Sequence, residues 1–256
     1  MDLPNNSNEH RIFANDYAYQ TLFSKIVAIE LPPGASISPI ELSKELGISR
    51  TPIQRACSRL AENGLVNVFP QRGSYVSLIN FDKVYESFYL RNLLEQAAVR
   101  KVCSLPDRSE LVFSLNQTIY NQRQQLDHKN YIRAFDLDNQ FHHLIYDAAS
   151  MTYIEQALAY IAADQDRIRH LKVLSELRID STLEEHFKIL NSIESGDADA
   201  AAHNVYLHIS KFAEDMSAIH RKYPKYFSNW TAGQDIKIAP VKESFYNFRL
   251  SHDREV

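Results

Sequence analysis

Residues 34–78 carry a run of local signals that few folds accommodate together. The segment Pro39-Ile40-Glu41-Leu42-Ser43-Lys44-Glu45-Leu46 has helical spacing and stops at Gly47, the residue type that best tolerates the left-handed turn between two helices. Ser49 then stands as N-cap of a second helix over about residues 50–63, with Pro52 in its first turn, where a missing N–H costs nothing. After Gly64, two β-type runs at 65–69 and 74–78 flank Gln71-Arg72-Gly73, the tip of a hairpin. Two helices and a hairpin in this order predict a winged helix-turn-helix. The N-terminal turns of its second helix, where Ser49, Arg50, Thr51, Gln54 and Arg55 crowd, enter a DNA major groove, and Arg72 and Gly73 reach the minor groove from the wing.

A net charge of −4 argues against a nucleic-acid partner until its distribution is examined. Over residues 50–75 the four arginines Arg50, Arg55, Arg59 and Arg72 face the single acid Glu62, so the positive footprint is local and modest. Binding on such a footprint leans on dimerisation and base contacts more than on bulk phosphate attraction. Six glycines in 256 residues disfavour glycine-rich nucleotide loops and favour helices. The polar start, residues 1–16, lacks a signal-type apolar run, and no segment reaches membrane-span length, so a cytoplasmic location and no membrane partner are expected. Cys57 and Cys103 have no metal-ligand spacing and read as buried thiols.

From residue 80 the periodicity becomes helical throughout. Helices are expected over 81–104, 108–126, 131–150, 152–174, 183–195 and 197–221, separated by short breakers such as Leu105-Pro106-Asp107. The fold class is therefore mainly α: a polar arm (1–16), a winged helix-turn-helix (17–79), an all-α helical bundle effector domain (80–222) and a tail of no assigned role (223–256). Residues 79–82 form a junction too short to be a floppy linker.

Within the bundle, Asp138 and His142 share a helix face with Phe141 and Ile145, His186 falls on a stripe with Leu183, Phe187 and Leu190, and His208 on one with Ala201, Val205 and Phe212. One inward histidine is usually a satisfied core residue. Three, with an aspartate, on separate inward stripes cost several kcal/mol unless something binds them. Neutral imidazoles and a carboxylate suit a divalent transition metal, zinc foremost, with nickel, manganese or iron as alternatives, leaving positions open to water or a small ligand. His143 and His203 point off these faces and belong on the surface.

Both halves resemble known families. The Ser49-Arg50-Thr51-Pro52-Ile53-Gln54-Arg55-Ala56 element followed by the Arg72-Gly73 wing is similar to the DNA-binding domain of the GntR family of bacterial transcription regulators. The Arg91-Asn92-Leu93-Leu94-Glu95 element, Asp138-x-x-Phe141-His142, Glu185-His186, Gly196-Asp197 and His208 resemble the FCD-type (FadR-like) effector domain that follows the winged helix in one GntR subfamily. The resemblance implies a metal bound by Asp138, His142, His186 and His208, and a small carboxylate effector in the open metal positions. It also implies a homodimer on palindromic operator DNA. Arg91 matches the family arginine that reaches the effector carboxylate; a plain Arg91–Glu95 pair along the helix is the alternative. Arg167 is a further ligand candidate, against a solvated charge among Asp164, Asp166 and Arg169. The chain departs from the signature at Gln54, where arginine is usual. Glutamine suits adenine and arginine guanine, so the base preference shifts, while Arg55, one step around the helix, serves a phosphate or a local acid.

Three functions fit these features: a regulator responsive to a metabolite, a metal sensor without organic effector, and a metal-dependent enzyme. No second carboxylate or histidine constellation for proton transfer is recognisable, so a non-enzymatic regulator is the expectation.

Overall fold

The computed structural model describes residues 7–176 and 181–229. The winged half is built from α1 (Ser7–Val27), β1 (Ser36–Ile37), α2 (Pro39–Leu46), α3 (Arg50–Glu62), β2 (Val66–Phe69) and β3 (Gly73–Val76). Ala18, Leu22 and Ile26 recur every four residues along α1 and bury fully with Ile53, Ala56 and Leu60 of α3, which makes one small core. Helix α1 continues unbroken across residue 16, where the sequence set the end of a polar arm. Once that anchored stripe nucleates the helix, the polar residues before it extend it one bond at a time. Residues 1–6 of the expected arm lie outside the described residues.

Gly47 takes φ +66° at the end of α2, as a left-handed cap requires. Ser49 occupies the N-cap position of α3 in extended conformation, but its hydroxyl makes no capping bond, a departure from the expected cap. The sheet is antiparallel in the order β1-β3-β2, with Phe69 opposite Gly73 at the wing tip. The short β1, pairing Ser36 with Tyr75, adds a strand that a two-residue element cannot announce in sequence.

Asn80 then caps α4, accepting from the Lys83 amide at 3.1 Å. The bundle comprises α4 (Phe81–Cys103), α5 (Ser109–Asp127), α6 (Tyr131–Ala148), α7 (Thr152–Ile161), α8 (Ala163–Leu174), α9 (Ser181–Ser195), α10 (Ala198–Ser210) and α11 (Phe212–Lys222), with a 3₁₀ turn at Pro224–Tyr226. Two helices expected as single pieces are each broken, at Ala162 and at Lys211, without glycine or proline to mark the places. The first break turns α8 onto the junction: Arg167 donates to the Ser77 carbonyl (2.5 Å) and to Asp164 (2.7 Å), and Asp164 accepts the Asn80 amide (3.1 Å). From the other side, the segment after α11 clasps the same junction at Ile79 and Phe81. Ile79 N–H donates to the Tyr226 carbonyl (2.8 Å), Ser228 N–H to the Ile79 carbonyl (3.1 Å), and Phe81 N–H to Asn229 Oδ1 (2.8 Å). Thus the first part of the expected tail is a structural clasp, and residues 230–256 lie outside the described residues. Among the described residues no helix is long and apolar enough to cross a membrane.

Candidate functional site

Helix α6 projects Asp138 and His142 into the bundle, α9 projects His186 and α10 projects His208; one ligand atom from each lies within 4.8 Å of the others. Metal–nitrogen bonds of about 2.1 Å hold two donors no more than about 4.2 Å apart, so a small contraction suffices for one ion. His186 is fully buried and stacks on Phe141 at 4.0 Å, which fixes its ring. Two of the apolar stripes differ in one place each: on α9 Phe187 lies exposed and Ile189 takes the buried position, and Phe212, expected on the His208 stripe, opens α11 beyond the break.

Three further side chains set the histidine tautomers. Gln122 donates through Nε2 to the Ala134 carbonyl (3.2 Å), which turns its Oε1 toward His186 Nδ1 (3.0 Å). Because that oxygen can only accept, His186 carries its proton on Nδ1 and presents a bare Nε2. Glu185 Oε2 does the same for His208 Nδ1 at 2.8 Å, while Glu95 Oε2 stands 2.7 Å from His142 Nδ1, out of line for a hydrogen bond but with a charge that favours the proton there. The three Nε2 lone pairs therefore converge. His142 Nε2 and His208 Nε2 stand 3.2 Å apart, and His186 Nε2 is a buried nitrogen with no hydrogen bond, 3.3 Å from Asp138 Oδ1. Lone pairs facing at this distance repel unless a cation lies among them, so the donor set fits a divalent transition metal. Burial pushes His186 well below the ordinary imidazole pKa and His142 down as well, which keeps them neutral, as metal ligation needs. Burial alone would raise the Asp138 carboxyl, but the charges beside it, the Arg169 guanidinium among them, hold it well below the usual range.

A cavity of ≈ 100 Å³ borders this cluster, lined in part by Asp138, His208, Arg91 and Glu185. Arg91 joins both alternatives drawn from the sequence: it pairs with Glu95 at 2.5 Å along α4 and also faces the cavity. Arg169, which the sequence did not single out as a ligand, lines the cavity too and donates to Asp138 Oδ2 at 2.6 Å. Arg167 is neither a ligand candidate nor a solvated charge. It is fully buried at the junction, because Ser77 and Asp164 supply the acceptors that let a guanidinium leave water.

At the other end of the molecule, Ser49, Arg50, Thr51, Gln54, Arg55, Arg72 and Gly73 are all exposed. Arg59 is held back: it bonds Asp16 at 2.9 Å and lies over the Tyr19 ring at 4.2 Å. The footprint is thus presented by Arg50, Arg55 and Arg72. Gly73 has φ +100° with open space above it, so backbone conformation rather than crowding demands glycine there.

Residues 15–76 match the model of bacterial regulatory proteins of the gntR family, and residues 86–211 match the FCD domain. The chain belongs to the GntR family. Among relatives of this GntR/FCD protein, the HTH-type transcriptional repressor RspR of Escherichia coli K12 is 29% identical over 214 residues, 84% of this chain and 93% of that protein. The Nta operon transcriptional regulator of Aminobacter aminovorans is 26% identical, over 76% of this chain and 90% of that one. Both bear the names of regulators and not of enzymes. The fold matches E. coli McbR/YncC with a TM-score of 0.69 at 16% identity, over 82% of this chain and 98% of that one. A GntR regulator from Rhodococcus sp. RHA1 gives 0.66 at 18%, over 80% and 98%. This GntR-family chain is accordingly a DNA-binding transcription regulator, with a winged helix-turn-helix followed by a helical bundle.

In the GntR/FCD frame, the side chain that sequence reasoning passed over is Gln122, while Glu95 and Glu185 were named without their places beside the imidazoles. A signal for Gln122 existed. Gln122 continues the buried stripe Leu111, Leu115, Thr118, Ile119 on α5, and an inward amide on such a stripe asks for a partner.

Proposed function

We propose that this regulator works in the cytoplasm as a homodimer on a palindromic operator, and that a metal and a small carboxylate effector in the bundle adjust its grip on DNA. The convergence of three oriented imidazole Nε2 atoms on Asp138 carries the reading. Asp138, His142, His186 and His208 hold the ion, which when bound attracts a carboxylate oxygen as a Lewis acid. Zinc is the first candidate, with nickel, manganese and iron also suited to this donor set. Arg91 meets the carboxylate from the cavity side, and the cavity itself favours an organic effector over metal sensing alone.

Helix α8 supports communication between the sites. One side lines the cavity with Arg169, Lys172 and Val173; the other docks at the winged half through Ala163, in the winged core, and through Asp164 and Arg167 on the junction. An effector that shifts α8 therefore acts on the junction directly. On DNA, Arg50, Thr51 and Gln54 read or clamp the major groove while Ser49 and Arg55 meet phosphates, and Arg72 with Gly73 enters the minor groove.

The test is metal titration of stripped protein by calorimetry and thermal melting. Wild type is expected to bind one ion per chain and to melt higher, by about 4 kcal/mol of stabilisation at a thousandfold excess over Kd. His186→Ala loses the ion and the shift while the winged half still binds DNA. A wild-type protein that neither binds ions nor gains stability overturns the metal reading.

A further inference from the structure

Resting on that metal and effector reading, we infer that the effector is a monocarboxylate with a short apolar body, and not a dicarboxylate or a polyhydroxy acid. The cavity's own charges carry the argument. Four cations border it, and each is already engaged: Arg91 by Glu95 (2.5 Å), Arg169 by Asp138 (2.6 Å) and Asp166 (3.2 Å), Lys172 by Asp215 (2.9 Å), and Lys211 by Glu185. Five carboxylates against four cations leave the protein one negative charge at neutral imidazoles, and a divalent ion turns the balance to one positive. A single carboxylate neutralises the site. A second anionic group finds no uncommitted cation along the described wall, and its desolvation goes uncompensated.

Most of the remaining wall is hydrocarbon. Phe88, Leu126, Phe135, Val173 and Ile209 face the space beyond the ligand cluster, and the hydroxyls of Tyr131 and Thr182 are too few to pair every group of a polyhydroxy chain. Its ≈ 100 Å³ is smaller than the roughly 150 Å³ of an engineered apolar cavity that holds benzene, so a body of about three or four carbons fills it.

The experiment uses the full chain, stripped and reloaded with zinc, titrated by calorimetry with acetate, propionate, butyrate, succinate and gluconate. At about fourfold per buried methylene, butyrate is expected to bind roughly 15-fold tighter than acetate. Succinate, which places a carboxylate where butyrate has its methyl, binds at least tenfold more weakly than butyrate, and gluconate more weakly still. Val173→Lys, which sets a new cation in the wall, reverses the preference between succinate and butyrate. Zinc-free protein binds none of them. Succinate or gluconate matching butyrate in the wild type overturns the inference, as does zinc binding followed by no response to any acid; both leave the metal site standing. Failure of zinc itself to bind overturns the metal reading, and the inference with it.

Discussion

Replacing Arg167 with alanine strikes the joint between the two halves. The side chain is fully buried, with Nη1 on Asp164 (2.7 Å) and Nη2 on the Ser77 carbonyl (2.5 Å). Arg167→Ala leaves Asp164 charged and only 6% exposed, with the Asn80 amide as its remaining close donor across the joint, and removes the donor that Ser77 used. Breaking one side of a buried pair costs about 3–5 kcal/mol. At about 2–4 °C per kcal/mol for a chain of this size, the melting temperature falls by roughly 6–20 °C. Circular dichroism of metal-free protein measures it. The same reasoning demands that Arg167→Met combined with Asp164→Leu cost less than Arg167→Ala. Both variants lose the donor to Ser77, but the double change leaves no buried charge and adds only the Asn80 N–H without its acceptor, at about 1–3 kcal/mol. A single substitution that shifts the melt by under about 3 °C, or a double variant less stable than the single, refutes the account of Arg167 as a paired charge holding the joint.

Other expectations follow from separate parts of the molecule. Arg72→Ala weakens operator binding and lowers the slope of log affinity against log salt by about 0.9 per protomer; an unchanged slope in filter-binding titrations removes Arg72 from the DNA contact. Gln54→Arg moves selection from adenine toward guanine at one symmetric operator position, and identical consensus sites from randomised-DNA selection with both proteins rule out base reading by this side chain. Gln122→Leu frees the His186 ring and lowers metal affinity about 10–100-fold with little loss of helix content; wild-type affinity in a competition titration with a coloured chelator counts against the orienting role.

The parts of this molecule that sequence revealed are those fixed by local stereochemistry or by a single helix period. Gly47 and Pro52 announce their turn and first helical turn wherever they stand, and the spacing of Asp138 and His142 places both on one face before any partner is known. What stayed hidden depends on distant chain. Arg167 is four positions from Ala163 in a polar-looking stretch, and the neighbouring Asp164 makes its burial tolerable only together with Ser77, 90 residues earlier. The breaks at Ala162 and Lys211 carry no local signal because neither has a glycine or proline beside it, although Ala162 leaves helical geometry (φ −86°, ψ 5°) while Lys211 keeps it (φ −60°, ψ −23°). Arg169 eluded notice because a surface i,i+3 pair with Asp166 accounts for it fully until α6 is packed alongside.

The clasp at Ile79 bears on the order in which the molecule is completed. A chain emerging from the ribosome can close most of its winged half once residue 76 is free, since all the strands and helices of that core but the Ala163 contact of α8 are in hand. The hinge that aims this half, however, takes bonds from Tyr226, Ser228 and Asn229, nearly 150 residues later. A nascent regulator therefore carries a nearly complete DNA-reading head on a neck not yet latched, and a truncation before Tyr226 leaves that neck to the bonds of Arg167 and Asp164 alone.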